Sequence, residues 1–235
     1  EYLEMLVGPI SRNKGVVDKF IGTTTMAFWG PPFTDTEQHA NLGIKASLEL
    51  VESMPDAQKL LKEHLGEYYL EGNCRVTIGL ASGEMIVGNV GSKSSMSYTV
   101  MGDVVNNASR LKGVSKQYGL PFLCAERTKD LGSPELLSRE IDEILAAGMS
   151  EPMKVFQYLT PQEVTNGYTE DVLGLYSRGL QEYRQGKWAA ARRLWRDFLS
   201  IVPDDKAALL MLDRISFLEK DSPHEWSGIW QLRKK

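Results

Sequence analysis

The strongest restriction on the fold comes from a change of pattern near Pro161. Before it, short runs rich in β-branched and aromatic residues alternate with longer segments of helical periodicity. After it, apolar residues recur only at helical spacing, in segments separated by Gly186-Lys187 and by Pro203-Asp204-Asp205. The pattern predicts an α+β domain over residues 1–160 and a small all-α extension over residues 161–235.

Composition and charge narrow the classes of function. The 235 residues are 42% hydrophobic and 25% charged, so the chain can bury a core without disulfides. A net charge of -4 provides no broad cationic surface, and we expect no nucleic-acid partner. Cys74 and Cys124 stand singly, without CxxC spacing, which suits a reducing compartment and predicts a cytoplasmic domain. The chain begins at Glu1 without an initiator Met, and we expect it to be part of a longer protein. A sensor domain or a membrane segment can precede it there.

The extension has two interpretations. The spacing of Gly179, Ala191, Trp195 and Pro203 resembles one degenerate tetratricopeptide unit, in which small residues let paired helices approach. One repeat cannot build a solenoid, so a helical hairpin that packs on the neighbouring domain explains the same residues. Both interpretations stay open at this point.

A stretch of residues 98–111 offers the clearest chemistry. A strand pattern brings Thr99 to a turn at Gly102, and the helix that follows places Asn106 and Arg110 one turn apart on one face. An amide and a forked, permanently charged guanidinium suit a ribose and a phosphate. On spacing alone, a surface arginine beside a solvated asparagine explains the same pair better.

Resemblance to a known family changes that balance. Six segments occur in the order and at the spacing of the class III nucleotide cyclase catalytic domain, across about residues 1–160. They are residues 18–22 (DKFIG), 26–30 (MAFWG), 78–84 (IGLASGE), 87–92 (VGNVGS), 98–111 (YTVMGDVVNNASRL), and 150–152 (SEP) with 155–156 (VF). The extension also resembles the helical end of bacterial adenylate cyclases that carry this domain.

The resemblance implies a fold and an activity. It implies a ferredoxin-like βαββαβ core that dimerises, as a homodimer or with another cyclase domain, and builds its site between two domains. The implied reaction converts ATP to 3′,5′-cyclic AMP and pyrophosphate in intracellular signalling, with two Mg²⁺ or Mn²⁺ ions. Lys19 and Thr99 match the positions that read adenine, Asn106 the ribose position and Arg110 the α-phosphate position.

The chain also departs from the family pattern. Thr23 stands where the family has an Asp that binds both metal ions, and a neutral hydroxyl cannot replace that carboxylate. Met149 stands where a Lys contacts phosphate. The family's first strand, with its other metal-binding Asp, would precede Glu1, and we expect it to lie in a longer form of the chain. Two interpretations follow: one half of a site completed by another cyclase domain, or an impaired cyclase that binds nucleotide, dimerises or regulates.

Overall fold

The computed structural model describes residues 2–68, 75–92, 95–146, 148–221 and 226–232. The elements up to residue 131 are α1 (Tyr2–Arg12), β1 (Val16–Ile21), β2 (Thr24–Phe28), α2 (His39–Leu65), β3 (Ile78–Leu80), β4 (Ile86–Ser92), β5 (Ser95–Met101), α3 (Asp103–Tyr118), β6 (Phe122–Ala125) and α4 (Glu126–Leu131). Those that follow are β7 (Ser138–Leu145), β8 (Met153–Tyr158), α5 (Pro161–Thr165), α6 (Glu170–Arg184), α7 (Trp188–Ile201), α8 (Lys206–Asp221) and β9 (Trp230–Gln231). The α+β prediction is confirmed.

The strands form one mixed sheet and two hairpins. The sheet has the order β3-β6-β8-β7-β9, in which β3 and β6 are parallel, β8 is antiparallel to both β6 and β7, and β7 and β9 are parallel. Strands β1 and β2 form one antiparallel hairpin, and β4 and β5 form the other. Within the described ranges, β3 is the end strand of the sheet and neither hairpin joins it.

Apolar residues bury both faces of the sheet. On one face, Ile44 and Leu48 of α2 pack with Phe122, Cys124 and side chains of β8. Burial there raises the pKa of the Cys124 thiol well above its ordinary value. Because neighbouring residues of a strand point to opposite faces, Leu123 belongs to the other face, which α3 and the tail helices cover.

The tail, defined as residues 161–232, continues the core of the sheet. A capping box starts it, in which Thr160 and Glu163 exchange side-chain and backbone hydrogen bonds. Helices α6 and α7 pack closely at Gly179, where an added Cβ would lie 2.5 Å from Nε1 of Trp195. One cluster of buried apolar residues extends from Leu111 to Leu232. The division at residue 160 therefore stays a prediction, since that cluster lies on both sides of it.

Two buried charge pairs join the tail to β7. Arg139 donates to Asp205 at 2.5 Å, and their side chains are 3% and 1% exposed. Arg214 of α8 donates to Asp142 at 2.6 Å, and their side chains are 6% and 0% exposed. Tyr118, the last residue of α3, donates its hydroxyl to the same Asp142 oxygen at 2.5 Å. Burial raises the pKa of the Asp142 carboxyl, while the charge of Arg214 acts to lower it.

Three local features differ from the sequence pattern. Helix α2 continues through Pro55, although proline usually interrupts or kinks a helix, and Met54 before it and Ala57 after it are buried. Strand β7 forms in a stretch without a clear pattern, and β9 adds a strand to an extension predicted as all-helical. None of the described helices is both long enough and apolar enough to cross a bilayer.

Candidate functional site

An irregularity in β1 places two adjacent charged side chains together. Val17 pairs with Ala27 and Lys19 with Met26, so Asp18 is an extra residue in the β1 ladder. Successive side chains of a regular strand point to opposite faces, whereas a bulge re-aims one of them. Lys19 and Asp18 consequently reach the same atom of the neighbouring hairpin.

That atom is the hydroxyl oxygen of Thr99 on β5. Lys19 Nζ donates to Thr99 Oγ1 at 3.0 Å, and Thr99 Oγ1 donates to Asp18 Oδ2 at 2.7 Å. The ammonium and the carboxylate are 3.6 Å apart. The Asp18 side chain is 1% exposed, whereas that of Lys19 is 42% exposed. In this cluster of Asp18, Lys19 and Thr99, the ammonium of Lys19 is the donor that faces solvent, and the Asp18 carboxylate is buried behind it.

The second group of candidate residues lies on α3. Gly102, with a φ of 154°, links β5 to the helix at Asp103. Asn106 is exposed, and Arg110 is half-buried. Arg110 donates to Asn107 Oδ1 at 3.0 Å and to the Gly148 carbonyl at 3.2 Å. Asn107, three residues before Arg110, and the Gly148 carbonyl thus hold the guanidinium over the segment after β7.

Thr23 and Met149 occupy quite different surroundings. Thr23 is exposed in the turn between β1 and β2. Beside it, the Thr24 hydroxyl accepts a hydrogen bond of 2.9 Å from Lys112 Nζ, which ties this hairpin to α3. Met149 follows Gly148 and packs against the core cluster, so its side chain supplies no charge next to Arg110.

Comparison with known proteins decides the family. A family model for the adenylate and guanylate cyclase catalytic domain matches residues 10–156. The chain belongs to this cyclase family. It is 27% identical over 223 residues to the terminal-differentiation specific adenylate cyclase of Dictyostelium discoideum, a match that covers 91% of the chain and 10% of that protein. It is 31% identical over 162 residues to an adenylate cyclase of Anabaena cylindrica, covering 67% of the chain and 30% of that protein.

A solved structure supports the cyclase fold. The adenylyl cyclase CyaB from P. aeruginosa is 26% identical, with a TM-score of 0.61, and the match covers 67% of this chain and 78% of that one. The ferredoxin-like cyclase core and the tail helices predicted from the sequence are therefore confirmed. The chain spans 10% to 30% of the length of the curated relatives named above.

The described residues do not fit a cyclase metal site. No group of three or more His, Cys, Asp or Glu side chains among them could hold an ion. Thr23 offers a neutral hydroxyl in place of a carboxylate, and hard divalent cations prefer charged oxygen ligands. No metal-dependent step is therefore derived from these residues.

Asp18 is the residue that sequence reasoning did not single out. Its place next to Lys19 in a strand argues that the two side chains point apart. Only the bulge between Val17 and Lys19 reverses that expectation, and no glycine or proline in β1 signals it. The available signal is the pair of opposite charges itself, Asp18-Lys19, inside a strand of otherwise apolar residues.

Proposed function

We propose that the chain is an adenylate cyclase catalytic domain that converts ATP to 3′,5′-cyclic AMP and pyrophosphate in intracellular signalling. The observation that carries the proposal is the hydrogen bond of 3.0 Å between Lys19 and Thr99. An ammonium can donate to a ring nitrogen of adenine, and a hydroxyl oxygen can accept from the exocyclic amine. This pairing favours ATP over GTP, and the adenylate cyclase relatives support the same choice.

The reaction joins the ribose 3′-oxygen to the α-phosphorus and releases pyrophosphate, and the 3′-hydroxyl proton leaves. Negative charge builds on the phosphate oxygens as the new bond forms. Arg110 is the cation proposed to stabilise that charge, and the amide of Asn106 is proposed to hold the ribose. The exposure of Asn106 and the partial exposure of Arg110 support roles toward a ligand outside the core.

A second cyclase domain is proposed to complete the site, either a copy of this chain or another chain. Large apolar side chains are exposed on the two hairpins, and contiguous exposed apolar surface often marks an interface. They are Phe20 and Ile21 on the first hairpin, and Ile86, Met96, Tyr98 and Met101 on the second. The same hairpins carry Lys19 and Thr99, so docking there would bring a partner to the base-reading residues.

Divalent cations remain part of this proposal, as Mg²⁺ or Mn²⁺. Because Thr23 cannot supply the expected carboxylate, the ligands would come from the partner domain or from parts of the protein outside the described residues. Dependence of turnover on Mn²⁺ tests whether the reaction needs a divalent cation.

A second candidate function is a nucleotide-binding half without turnover. Thr23 and the core-packed Met149 favour it, because both replace charged side chains that the resemblance assigns to metal and phosphate. Loss of one preorganised cationic contact is typically worth about 3 kcal/mol, roughly a hundredfold or more in rate.

Cyclic nucleotide formation from ATP and from GTP, with Mn²⁺, separates the candidates. The unaltered chain is compared with Thr99→Val, with Arg110→Ala and with a Thr23→Asp, Met149→Lys version. Turnover of ATP that Thr99→Val and Arg110→Ala abolish supports the cyclase proposal. Turnover only in the Thr23→Asp, Met149→Lys version supports the nucleotide-binding half. Equal turnover of GTP and ATP contradicts the adenine assignment.

A further inference from the structure

The buried carboxylate beneath Thr99 limits what that hydroxyl can do. A threonine hydroxyl has one hydrogen to donate and two lone pairs that accept. Its hydrogen is directed to Asp18 Oδ2 at 2.7 Å, and one lone pair receives Lys19 Nζ at 3.0 Å. An ionised carboxylate only accepts, so Asp18 holds the hydroxyl in one orientation. The remaining capacity of Thr99 Oγ1 is that of an acceptor.

We propose that Asp18 is a specificity-determining positioning residue: it fixes Thr99 as an acceptor toward the base, so the site selects a purine with an amino group at position 6. The inference rests on the proposed function, because it assumes that Lys19 and Thr99 face a purine. A 6-oxo purine in the same pose would place its oxygen at position 6 against Thr99 Oγ1. Because the Thr99 hydrogen is already donated to Asp18, neither oxygen could donate to the other. A buried acceptor facing another acceptor costs about 1 to 3 kcal/mol, roughly fivefold to a hundredfold in affinity.

The local geometry supports a dedicated role for Asp18. Its carboxylate is 1% exposed, so water does not compete for the Thr99 hydrogen. The ammonium of Lys19 at 3.6 Å is the cation that compensates the buried charge. The bulge at Asp18 is what allows both side chains to reach Thr99, since a regular strand would direct them apart.

The test measures equilibrium binding of ATP and of inosine 5′-triphosphate to the full chain. Inosine carries an oxygen at position 6 and lacks the 2-amino group of guanine, so it isolates the position at issue. Asp18→Asn keeps the shape of the side chain but allows either hydrogen-bond direction at Thr99. We expect the unaltered chain to prefer ATP, and Asp18→Asn to narrow the ratio of the two dissociation constants by about tenfold.

Two further variants make the result specific. In a Thr99→Val background, Asp18→Asn should no longer change the ratio, because the hydroxyl that it orients is gone. Asp130→Asn is the matched control, since it makes the same chemical change at a side chain that is 60% exposed on α4. It should leave the ratio unchanged.

The outcomes separate the inference from the proposed function. If the unaltered chain prefers ATP and Asp18→Asn weakens both nucleotides equally, Asp18 is merely structural and the inference is wrong. An equal effect of Asp18→Asn on the ratio with and without Thr99 also overturns it. If the unaltered chain binds neither nucleotide or shows no preference, the adenine assignment of the proposed function fails, and the inference fails with it.

Discussion

The tail interface and the two hairpins use charged side chains in opposite ways. Between β7 and the tail, the Arg139–Asp205 and Arg214–Asp142 pairs are almost completely buried, and each cation is neutralised inside the protein. On the hairpins, Lys19 keeps 42% of its side chain exposed although it contacts a buried carboxylate. Water and ligands have little access to a buried pair, whereas the exposed ammonium of Lys19 is open to solvent. The difference fits a stabilising role for the first region and agrees with the recognition role proposed for the second.

Apolar side chains show the same division. Trp195, Tyr176 and Phe198 of the tail are fully buried and pack ring against ring. On the hairpins, Ile86 is 68% exposed and Met96 is 61% exposed. Burial of apolar surface is the main favourable contribution to folding, so the tail helps to stabilise the sheet, whereas the hairpins leave apolar surface exposed, where the proposed partner would dock.

The largest effect is expected from breaking a buried charge pair. Arg214→Met leaves the Asp142 carboxyl buried without its cation, and should lower the free energy of unfolding by about 3 to 5 kcal/mol. Arg12→Met is the control, because the Arg12–Glu49 pair has side chains 67% and 39% exposed and should cost less than about 1 kcal/mol. Urea unfolding of both variants measures the difference. Equal losses would remove the distinction between the two kinds of pair.

Alkaline pH should weaken the tail and α3 next. Burial raises the pKa values of Tyr118, Tyr176 and Tyr183 above their ordinary value near 10. Above pH 10 the unfolded chain loses these protons while the folded chain keeps them, so stability falls as pH rises. For these three buried tyrosines the loss is about 3 kcal/mol in total between pH 10 and pH 11.

Urea unfolding at pH 8, 10 and 11, with tyrosinate absorbance of the folded protein, measures this loss. Near pH 8 the three groups are protonated in both states and contribute no slope. If tyrosinate forms in the folded protein over the same pH range as in the unfolded chain, the burial argument fails.

A smaller loss of stability is expected where α6 packs closely on α7, and a second glycine of α6 serves as the control. Gly179→Ala places a Cβ 2.5 Å from Nε1 of Trp195, and should cost about 1 to 3 kcal/mol although alanine favours helix. Gly174→Ala, in the same helix, meets nothing within 4 Å and should stabilise by up to about 1 kcal/mol. Thermal unfolding compares the two. A stabilising Gly179→Ala would mean that the helices are not in close contact.

The sequence was sufficient for features that depend on local pattern or on motif order. The alternation of strand and helix patterns predicted the α+β class, and the order of the motifs identified the cyclase core. Spacing also predicted that small residues such as Gly179 let paired helices approach, and the structure adds Trp195 as the side chain that Gly179 meets. These features are encoded within short stretches of chain, where periodicity and turn residues can be read directly.

Features that depend on distant partners could not be predicted. Arg139 and Asp205 are 66 residues apart, and nothing in either segment indicates that the two side chains meet. The pairing of β9 with β7 depends on how the tail folds back, and two residues carry no strand pattern of their own. At the site, Lys19 and Thr99 were found through resemblance, whereas Asp18 depends on a one-residue bulge that composition does not reveal.

The smallest effect on stability, and the sharpest test of the hairpins, is expected from Ile86→Ser. This side chain is 68% exposed, so its loss should change the free energy of unfolding by less than about 0.5 kcal/mol. If the hairpin is an interface, the same change should lower the fraction of dimer measured by sedimentation at a fixed protein concentration. Leu209→Ser, at a leucine 39% exposed on α8, should leave that fraction unchanged. If the fraction of dimer is unchanged by Ile86→Ser but falls with Leu209→Ser, the interface lies on the tail and not on the hairpin, because only the tail variant would then have lost a contact with the partner.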